Sequence, residues 1–534
     1  MLKGPHLQGH FRTDDRARAA YAEGAGIYRI VPAAVAIPAH IPDLQQLVRW
    51  AAATGTPLVA RGAGSAMGGG NVGDGVVVDL TALAPPWLDV DAPGRRAFVT
   101  AEVTAGALDA AARAHGLRFP PMPSSGRWAT MGGMAATNAA GASAVRIGSV
   151  RNWITGLEWV DAEGATHRWV RGEPVNGRRW TALAERIHAA GALIRSRFPR
   201  VRKNSSGYAV DAFLESGDLL ELLIGSEGTL GVITAVDCRL EALPGAAAGL
   251  RLALRSLDYL ADVVTALLPL RPAALELLDG TFLSLVENEG DRVPEIATGA
   301  DAILLVEFER ATEASARGAV GDAVRAVSDW TAEVETAVTP EASEELWRIR
   351  HAASPILARL PDTHRSMQVI EDGAVPVARL ADYIRLVRRI TAAHEVGAVI
   401  FGHAGDGNVH VNLLVDTTKS GWEGAVAAVL GEVSAGTVAL GGTLSGEHGD
   451  GRLRAAALES VFGPELVELF RDIKAAFDPA GILNPGIKLP AGDGAVSRLK
   501  VGREAAAIPP DIALALRDIE RMGGYARTRL DLAS

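Results

Sequence analysis

Two short glycine-rich runs carry the residues best suited to hold a metal ion and to move a proton. Residues 402–410 read Gly-His-Ala-Gly-Asp-Gly-Asn-Val-His, and residues 445–451 read Ser-Gly-Glu-His-Gly-Asp-Gly. Together they bring His403, His410, Glu447 and His448 into two turns. Two imidazoles and a carboxylate are ordinary donors for zinc or a similar divalent ion and leave a position open for a ligand. A further imidazole would then be left to move protons, because its ordinary pKa lies near neutrality.

The elements around these runs must fold the chain back on itself. Residues 398–401 and 409–415 both read as short strands, and the Gly-Asp-Gly-Asn at 405–408 has the composition of a tight turn. A hairpin of this kind sets His403 across from His410, which helical spacing would not do so directly. An amphipathic helix expected over 422–440 delivers the chain to the second turn, so that Glu447 and His448 close on the same point.

Glycine and small residues dominate three earlier segments. An expected strand at 57–60 enters residues 61–70, Arg-Gly-Ala-Gly-Ser-Ala-Met-Gly-Gly-Gly. Consecutive backbone N–H groups without side chains in the way can point into one concavity, which suits a pyrophosphate. The glycine spacing misses the dinucleotide fingerprint by one residue and the sequence marks out no clear acidic ribose partner, which disfavours an NAD-type Rossmann site. Residues 121–125 lead to a run of small residues and side-chain donors at 130–141, against which a large planar ligand can lie. A third segment, Gly-Ser-Glu-Gly-Thr-Leu-Gly at 225–231, follows Lys-Asn-Ser-Ser-Gly-Tyr at 203–208.

Composition narrows the classes. The chain has 534 residues, 48% of them hydrophobic, enough for two or three domains with substantial cores. Its formal net charge of −10 argues against a general nucleic-acid binder. Cys238 is the single cysteine, so this chain offers neither a disulfide framework nor the thiolates of an iron–sulfur cluster. The first residues run into charge without an apolar core, no secretory signal is read there, and apolar stretches such as 263–270 are too short to cross a bilayer. A soluble cytoplasmic protein is the expectation, peripheral to a membrane only through an electron-accepting partner.

The two histidine-bearing turns resemble the signature turns of the flavin-dependent 2-hydroxy acid dehydrogenases: D-lactate dehydrogenase, the flavin subunit of glycolate oxidase and D-2-hydroxyglutarate dehydrogenase, flavoproteins of the vanillyl-alcohol-oxidase type. In order and spacing, the three glycine-rich segments resemble the FAD-binding domain of the same family over most of 31–240. The resemblance implies an α+β protein: a two-part FAD-binding domain of the p-cresol methylhydroxylase type and a ferredoxin-like α+β cap. The boundaries expected are an arm at 1–28, the FAD-binding domain at 29–243, the cap with the metal site at 244–463, a helix and return segment at 464–490, and a tail of no assigned role at 491–534.

Carried over residue by residue, the resemblance implies that Arg61, Gly62, Ala63, Gly64, Ser65, Gly69 and Gly70 hold pyrophosphate. Pro123, Ser124, Ser125, Thr130, Met131, Gly132, Gly133, Thr137 and Asn138 would line the flavin, Glu227, Gly228 and Val232 would lie near its adenine half, and Asn484 would reach back to the flavin domain as a further cofactor-binding residue. Ser65 and Ala66 stand where covalently flavinylated relatives often carry a histidine, so non-covalent FAD is expected. His403, His410 and Glu447 would hold the divalent metal, with zinc the expected ion. The tryptophan, two residues, arginine element at 347–350 places a substrate-facing guanidinium at Arg350, with Asn408 assisting, and His448 becomes the proton acceptor. In the 2-hydroxyglutarate branch a lysine is expected two residues before Asp372; this chain has Ile370 there, which favours a small or more apolar hydroxy acid.

The reaction implied is oxidation of a 2-hydroxy acid, mostly of the D form, to the 2-oxo acid. The partners implied are the small acid itself and a separate acceptor: a quinone, an electron-transfer flavoprotein, a cytochrome or an iron–sulfur subunit; a homodimer is compatible with the sequence. Two rival readings use the same scaffold: a non-redox synthase or phenolic alcohol oxidase, and a flavin-carrying electron-transfer subunit without turnover of its own.

Overall fold

Three short apolar strands and a more polar edge strand, with well-capped helices between them, build the first layer. The computed structural model describes residues 2–288, 295–330, 333–358, 360–361, 363–490, 492, 494–522 and 529–533. Strands His10–Arg12, Ala34–Ile37, Val76–Asp79 and Leu58–Arg61 lie in that order, the first pair antiparallel and the others parallel. The crossover helix Ile41–Thr54 buries Leu44, Leu47, Val48 and Ala51, one apolar stripe at helical spacing. It stops at Gly55, whose φ of +66° ends the helix in a left-handed turn. The expected arm is therefore part of the fold: His10–Arg12 is an edge strand and Asp15–Ala20 a helix. Met1 lies outside the described residues.

A second sheet of five antiparallel strands, Leu88–Asp91, Arg96–Thr100, Val232–Arg239, Ile154–Val160 and Thr166–Val170, packs beside the first. Between these two sheets run the loops that the sequence marks as glycine-rich.

The cap opens with strands Ala246–Leu254, Ala274–Asp279, Ala302–Arg310 and Val334–Ala337, interleaved with helices Leu260–Leu267 and Glu313–Ala326. In space the fourth strand lies beside the first, then the third, then the second, all antiparallel, which is the ferredoxin-like order. Gly397–His403, Asn408–Asp416 and His364–Met367 continue the same sheet.

The hairpin register decides which residues face the flavin half. Phe401 pairs with His410, His403 with Asn408 and Val399 with Asn412, so these share one face. Val409, Val411 and Leu413 point the other way, into the core under the cap helices. Burying an aliphatic side chain contributes about 1.5–3 kcal/mol, so a one-residue slip that took these three out of the apolar core and turned the imidazoles into it would cost on the order of 5–9 kcal/mol before any charge is counted. Apolar packing thus fixes the direction in which the histidines point.

After helix Pro464–Phe477 the chain returns to the first sheet: the N–H of Leu58 donates to the carbonyl of Ile482 (2.8 Å), and that of Asn484 to the carbonyl of Leu58 (2.8 Å). Within the tail, helix Pro510–Met522 packs Ile512 and Leu516 against Ala19, Ala20 and Tyr21. Residues 491, 493, 523–528 and 534 of that tail lie outside the described residues. Among the described residues no helix is long and apolar enough to cross a membrane.

Candidate active site

One cavity of about 910 Å³ runs between the two halves. Its lower wall is built largely by leaving side chains out. Arg61, Gly62, Ala63, Gly64, Ser65 and Gly70 line it from the first loop; Pro123, Ser124 and Ser125 from the second; Gly132, Gly133 and Thr137 from the short helix Met131–Thr137 and Thr130 from its N-cap; and Glu227, Gly228 and Val232 from the third. A Cβ on Gly62 would stand 2.3 Å from Thr130 Oγ1, so the missing side chain lets the two loops touch. Gly64 has φ +79°, and its Cβ would fall 2.4 Å from Arg61 Nη2. Arg61 is buried, and its Nη2 makes no hydrogen bond among the described residues. A buried cation with an unused donor beside a side-chain-free loop fits a pyrophosphate-bearing ligand, and the cavity volume suits a dinucleotide-sized one.

The upper wall carries charge. His403 Nε2 and His410 Nε2 face each other at 3.1 Å, and Glu447 Oε1 lies 3.1 Å from the first and 3.4 Å from the second. Donors about 2.0–2.1 Å from a tetrahedral ion stand about 3.3 Å apart, so these three edges match such a cage. The outer ring nitrogens are already engaged. His403 Nδ1 donates to Glu276 Oε1 (2.5 Å) and His410 Nδ1 to the backbone carbonyl of Glu371 (3.0 Å). That fixes the tautomer that turns both Nε2 atoms inward, as at metal-ligating histidines. Burial alone would lower the pKa of His410, but the Glu371 and Glu447 carboxylates outweigh it and lift it to about 10. The surroundings therefore call for positive charge at this point.

His448 stacks on His410 with ring centres 5.2 Å apart. Its Nδ1 donates to Glu371 Oε2 at 2.6 Å, which directs Nε2 to the cavity side, 3.6 Å from Glu447 Oε1. Burial disfavours the imidazolium, yet Glu371 and Asp372 outweigh it and raise the His448 pKa above the usual value. Glu371 is held in turn by Arg454 at 3.1 Å, and despite its burial His448 and Arg454 keep it well below the usual carboxylate range. Asp372 accepts the hydroxyl of Ser445 (2.7 Å) and the backbone N–H groups of Glu447 and His448 (3.1 and 2.8 Å), so one buried carboxylate shapes the second turn.

Arg350, from helix Pro340–Ala358, lines the cavity beside the cage. Its Nε donates to Glu276 Oε2 at 2.9 Å, and its guanidinium lies over the Phe401 ring at 4.7 Å. Burial would raise the Glu276 pKa, but His403 and Arg350 bring it to about 2. Glu276 thereby orients a candidate metal ligand and a candidate substrate-binding cation at once.

The family models match both halves: an FAD binding domain over residues 32–169 and the C-terminal domain of FAD linked oxidases over 244–487. D-lactate dehydrogenase of Archaeoglobus fulgidus is 33% identical over 84% of this chain and 89% of its own. The chain belongs to the FAD-linked 2-hydroxy acid dehydrogenase family. Glycolate oxidase subunit GlcD of Bacillus subtilis is 29% identical over 91% of this chain and 94% of its own. Among solved structures, 4-ethylphenol oxidase from Gulosibacter chungangensis superposes with a TM-score of 0.65 at 17% identity, covering 90% of this chain and 94% of that one, a likeness of fold. The protein is an FAD-linked oxidoreductase with the two-part flavin domain and α+β cap of that fold.

Within this FAD-linked oxidoreductase, five residues expected at the site are placed otherwise or do a different job. Met131 is buried in the core of the second subdomain, because the helix that starts there turns its first side chain inward. Asn138 takes a left-handed conformation at φ +53°, and its Oδ1 accepts from the Ser149 hydroxyl (2.7 Å) and the Arg151 N–H (3.2 Å). Gly69, at φ +79°, makes room for the Tyr28 ring and does not line the cavity. Asn484 sits behind the loops, its Nδ2 donating to the carbonyls of Gly70 and Glu227, both at 2.8 Å. Asn408 is fully buried; its Nδ2 donates to Asp372 Oδ1 (3.1 Å) and the Gly373 carbonyl (3.2 Å), so it braces the hairpin and faces no substrate. Glu227 does line the cavity, but its carboxylate accepts the N–H groups of Asp450 and Gly451 (2.8 and 2.9 Å), tying the histidine-bearing turn to the flavin half.

Glu276, Glu371, Asp372, Arg454 and Lys203 escape the sequence reading. The signal present for the first three is a carboxylate that interrupts an apolar run, within a strand in Ala-Ala-Leu-Glu-Leu-Leu at 273–278 and entering a turn in Val-Ile-Glu-Asp at 369–372. Such a residue must find a buried partner, since charges are rarely buried unpaired.

Proposed function

We propose that this protein oxidises a small 2-hydroxy acid to the 2-oxo acid, with D-lactate or glycolate as the leading substrates and the D enantiomer taken where the acid is chiral. It would use non-covalently held FAD and a divalent cation, zinc first, in the cage of His403, His410 and Glu447. The observation that supports this most directly is that the cage, His448 and Arg350 all open on the cavity whose opposite wall is the glycine-rich flavin loops.

When bound, FAD supplies a two-electron acceptor, and the cation supplies positive charge that acidifies the substrate hydroxyl. The chain's own residues do the rest. Arg350, its Nε engaged by Glu276, offers the two Nη groups of its planar fork to the substrate carboxylate. His448 Nε2 takes the hydroxyl proton, and Glu371 at Nδ1 stabilises the imidazolium that results. Asp372 holds the backbone of that histidine, so the base stands in place before substrate arrives. Ile370 is buried in the cap core and brings no cation to a second carboxylate; Ser366, Gln368 and Asn412 hydrogen-bond along that wall instead. The electrons then leave to a separate acceptor such as a quinone, an electron-transfer flavoprotein, a cytochrome or an iron–sulfur subunit.

Anaerobic mixing of the yellow protein with D-lactate, glycolate and D-2-hydroxyglutarate, read at the flavin band, tests the proposal. Bleaching by one of the first two, slowed after dialysis against a chelator and restored by zinc, is the expected result. Fastest bleaching by D-2-hydroxyglutarate would overturn the substrate choice and move attention to Arg365, which also lines the cavity. Absence of bleaching by every acid, in protein carrying both flavin and metal, would overturn the function.

A further inference from the structure

Lys203 belongs to the flavin half, yet its ammonium lies inside the cap's charged cluster. Its Nζ is 2.6 Å from Glu447 Oε2, 3.5 Å from Asn408 Oδ1 and 3.9 Å from Asp406 Oδ2, with only 5% of the side chain exposed. The other Glu447 oxygen, Oε1, is the one that faces His403 and His410. The two oxygens of one carboxylate are thus divided between a fixed cation and the cage. A carboxylate free to rotate can donate through either oxygen or both; one tied at Oε2 presents Oε1 alone.

The surrounding segment is built for the same task. The Ser205 N–H donates to the Ser445 carbonyl (2.9 Å), the Ser205 hydroxyl to the Gly446 carbonyl (3.1 Å), and the Gly207 N–H to Asp450 Oδ2 (2.7 Å). Residues 203–207 therefore brace the whole turn that carries Glu447 and His448, from the other side of the domain interface.

We propose that Lys203 is a positioning residue: it holds Glu447 to one-oxygen donation and makes the cap's affinity for a divalent cation depend on docking of the flavin half. The proposal rests on the cage put forward above, but assigns a role to a residue of the other half that does not line the cavity.

The test uses full-length, flavin-loaded protein and two substitutions, Lys203→Met, which removes the charge and the donors, and Lys203→Gln, which keeps a donor. Zinc affinity is read by competition with a chromophoric chelator, and coordination by the visible spectrum of the cobalt form. Losing a partner behind a metal ligand typically costs 10–100-fold in metal affinity. We expect that loss for Lys203→Met, an intermediate loss for Lys203→Gln, an altered cobalt spectrum and unchanged flavin content, with a lowered melting temperature because the buried Glu447 and Asp406 lose their cation. Zinc affinity within twofold of the parent in the variants overturns this inference and leaves the cage standing, as does a zinc loss that merely tracks loss of flavin. If Lys203→Met does not fold, Lys203→Gln decides by the same criteria. A parent protein that binds none of zinc, cobalt and manganese overturns the cage, and this inference with it.

Discussion

The two walls of the cavity solve opposite problems. The flavin wall is made by subtraction: glycines and small residues bring backbone to the surface, and among the lining residues between 25 and 233 only Arg61, Glu102 and Glu227 are ionisable. The cation wall is made by addition: Glu276, Arg350, Glu371, His403, His410, Glu447 and His448 crowd one face of the cap, each charge answered by another. A large planar ligand is recognised by shape, so the first wall should fail sterically. A small anion that must lose a proton is recognised by charge, so the second should fail electrostatically. If that contrast is right, damage to one wall leaves the ligand of the other in place.

The largest effect is expected on the charged side. His448→Ala should keep its yellow colour and its zinc while substrate-dependent bleaching slows by about 10²–10⁴-fold, the usual worth of a positioned general base. Stopped-flow absorbance checks it, and bleaching at the parent rate would remove His448 from the reaction. The reciprocal lesion is Gly64→Ala. A left-handed conformation costs a side chain about 1–2 kcal/mol, and the new Cβ would collide with the buried Arg61 guanidinium. Flavin affinity should fall about tenfold or more while zinc binding is unchanged, measured by flavin fluorescence titration and metal analysis on one preparation. Parallel loss of both ligands would break the contrast.

How much of this was legible in the sequence follows the same division. Glycine loops declare themselves locally, because a φ of +79° at Gly64 is a property of one residue and its neighbours. The histidine hairpin was legible too, since alternation along residues 408–414 fixes which side chains share a face. Asn138 and Asn484 misled because a polar residue in a ligand-binding segment can serve the loop as easily as the ligand; both turn inward to satisfy buried backbone groups. Glu276 and Lys203 were hidden for another reason. They lie 127 and 244 positions from the His403 and Glu447 they contact, and nothing in their own neighbourhoods names those partners. The tail at 491–534 carries no motif, yet Lys500, Arg517 and Glu520 help form the cavity wall, a placement that only tertiary packing produces.

The smallest expected effect concerns the seam between the two walls. Glu241, on the flavin half, accepts from Arg118 and Arg146, both at 2.6 Å, and the same two arginines reach Glu309 on the cap strand Ala302–Arg310 at 2.5 and 3.2 Å. Partial burial would raise the Glu241 pKa, but the two guanidinium groups outweigh it and hold it below the usual value. A carboxyl whose folded pKa is depressed contributes stability that is fully present above its unfolded pKa and is lost as the pH falls through the folded one. Glu241→Gln should therefore be less stable than the parent by about 1–3 kcal/mol near neutrality, the range for a charge-assisted hydrogen bond. The gap should begin to close as the pH drops below about 4.5, where the carboxylate of the unfolded parent protonates, and go on closing toward the lower folded pKa, while the amide does not change. Thermal unfolding midpoints of both proteins between pH 7 and pH 3.5 check this. A gap that stays constant across that window would mean that the four-residue cluster joins the halves by packing alone, and that electrostatic control ends at the cation wall.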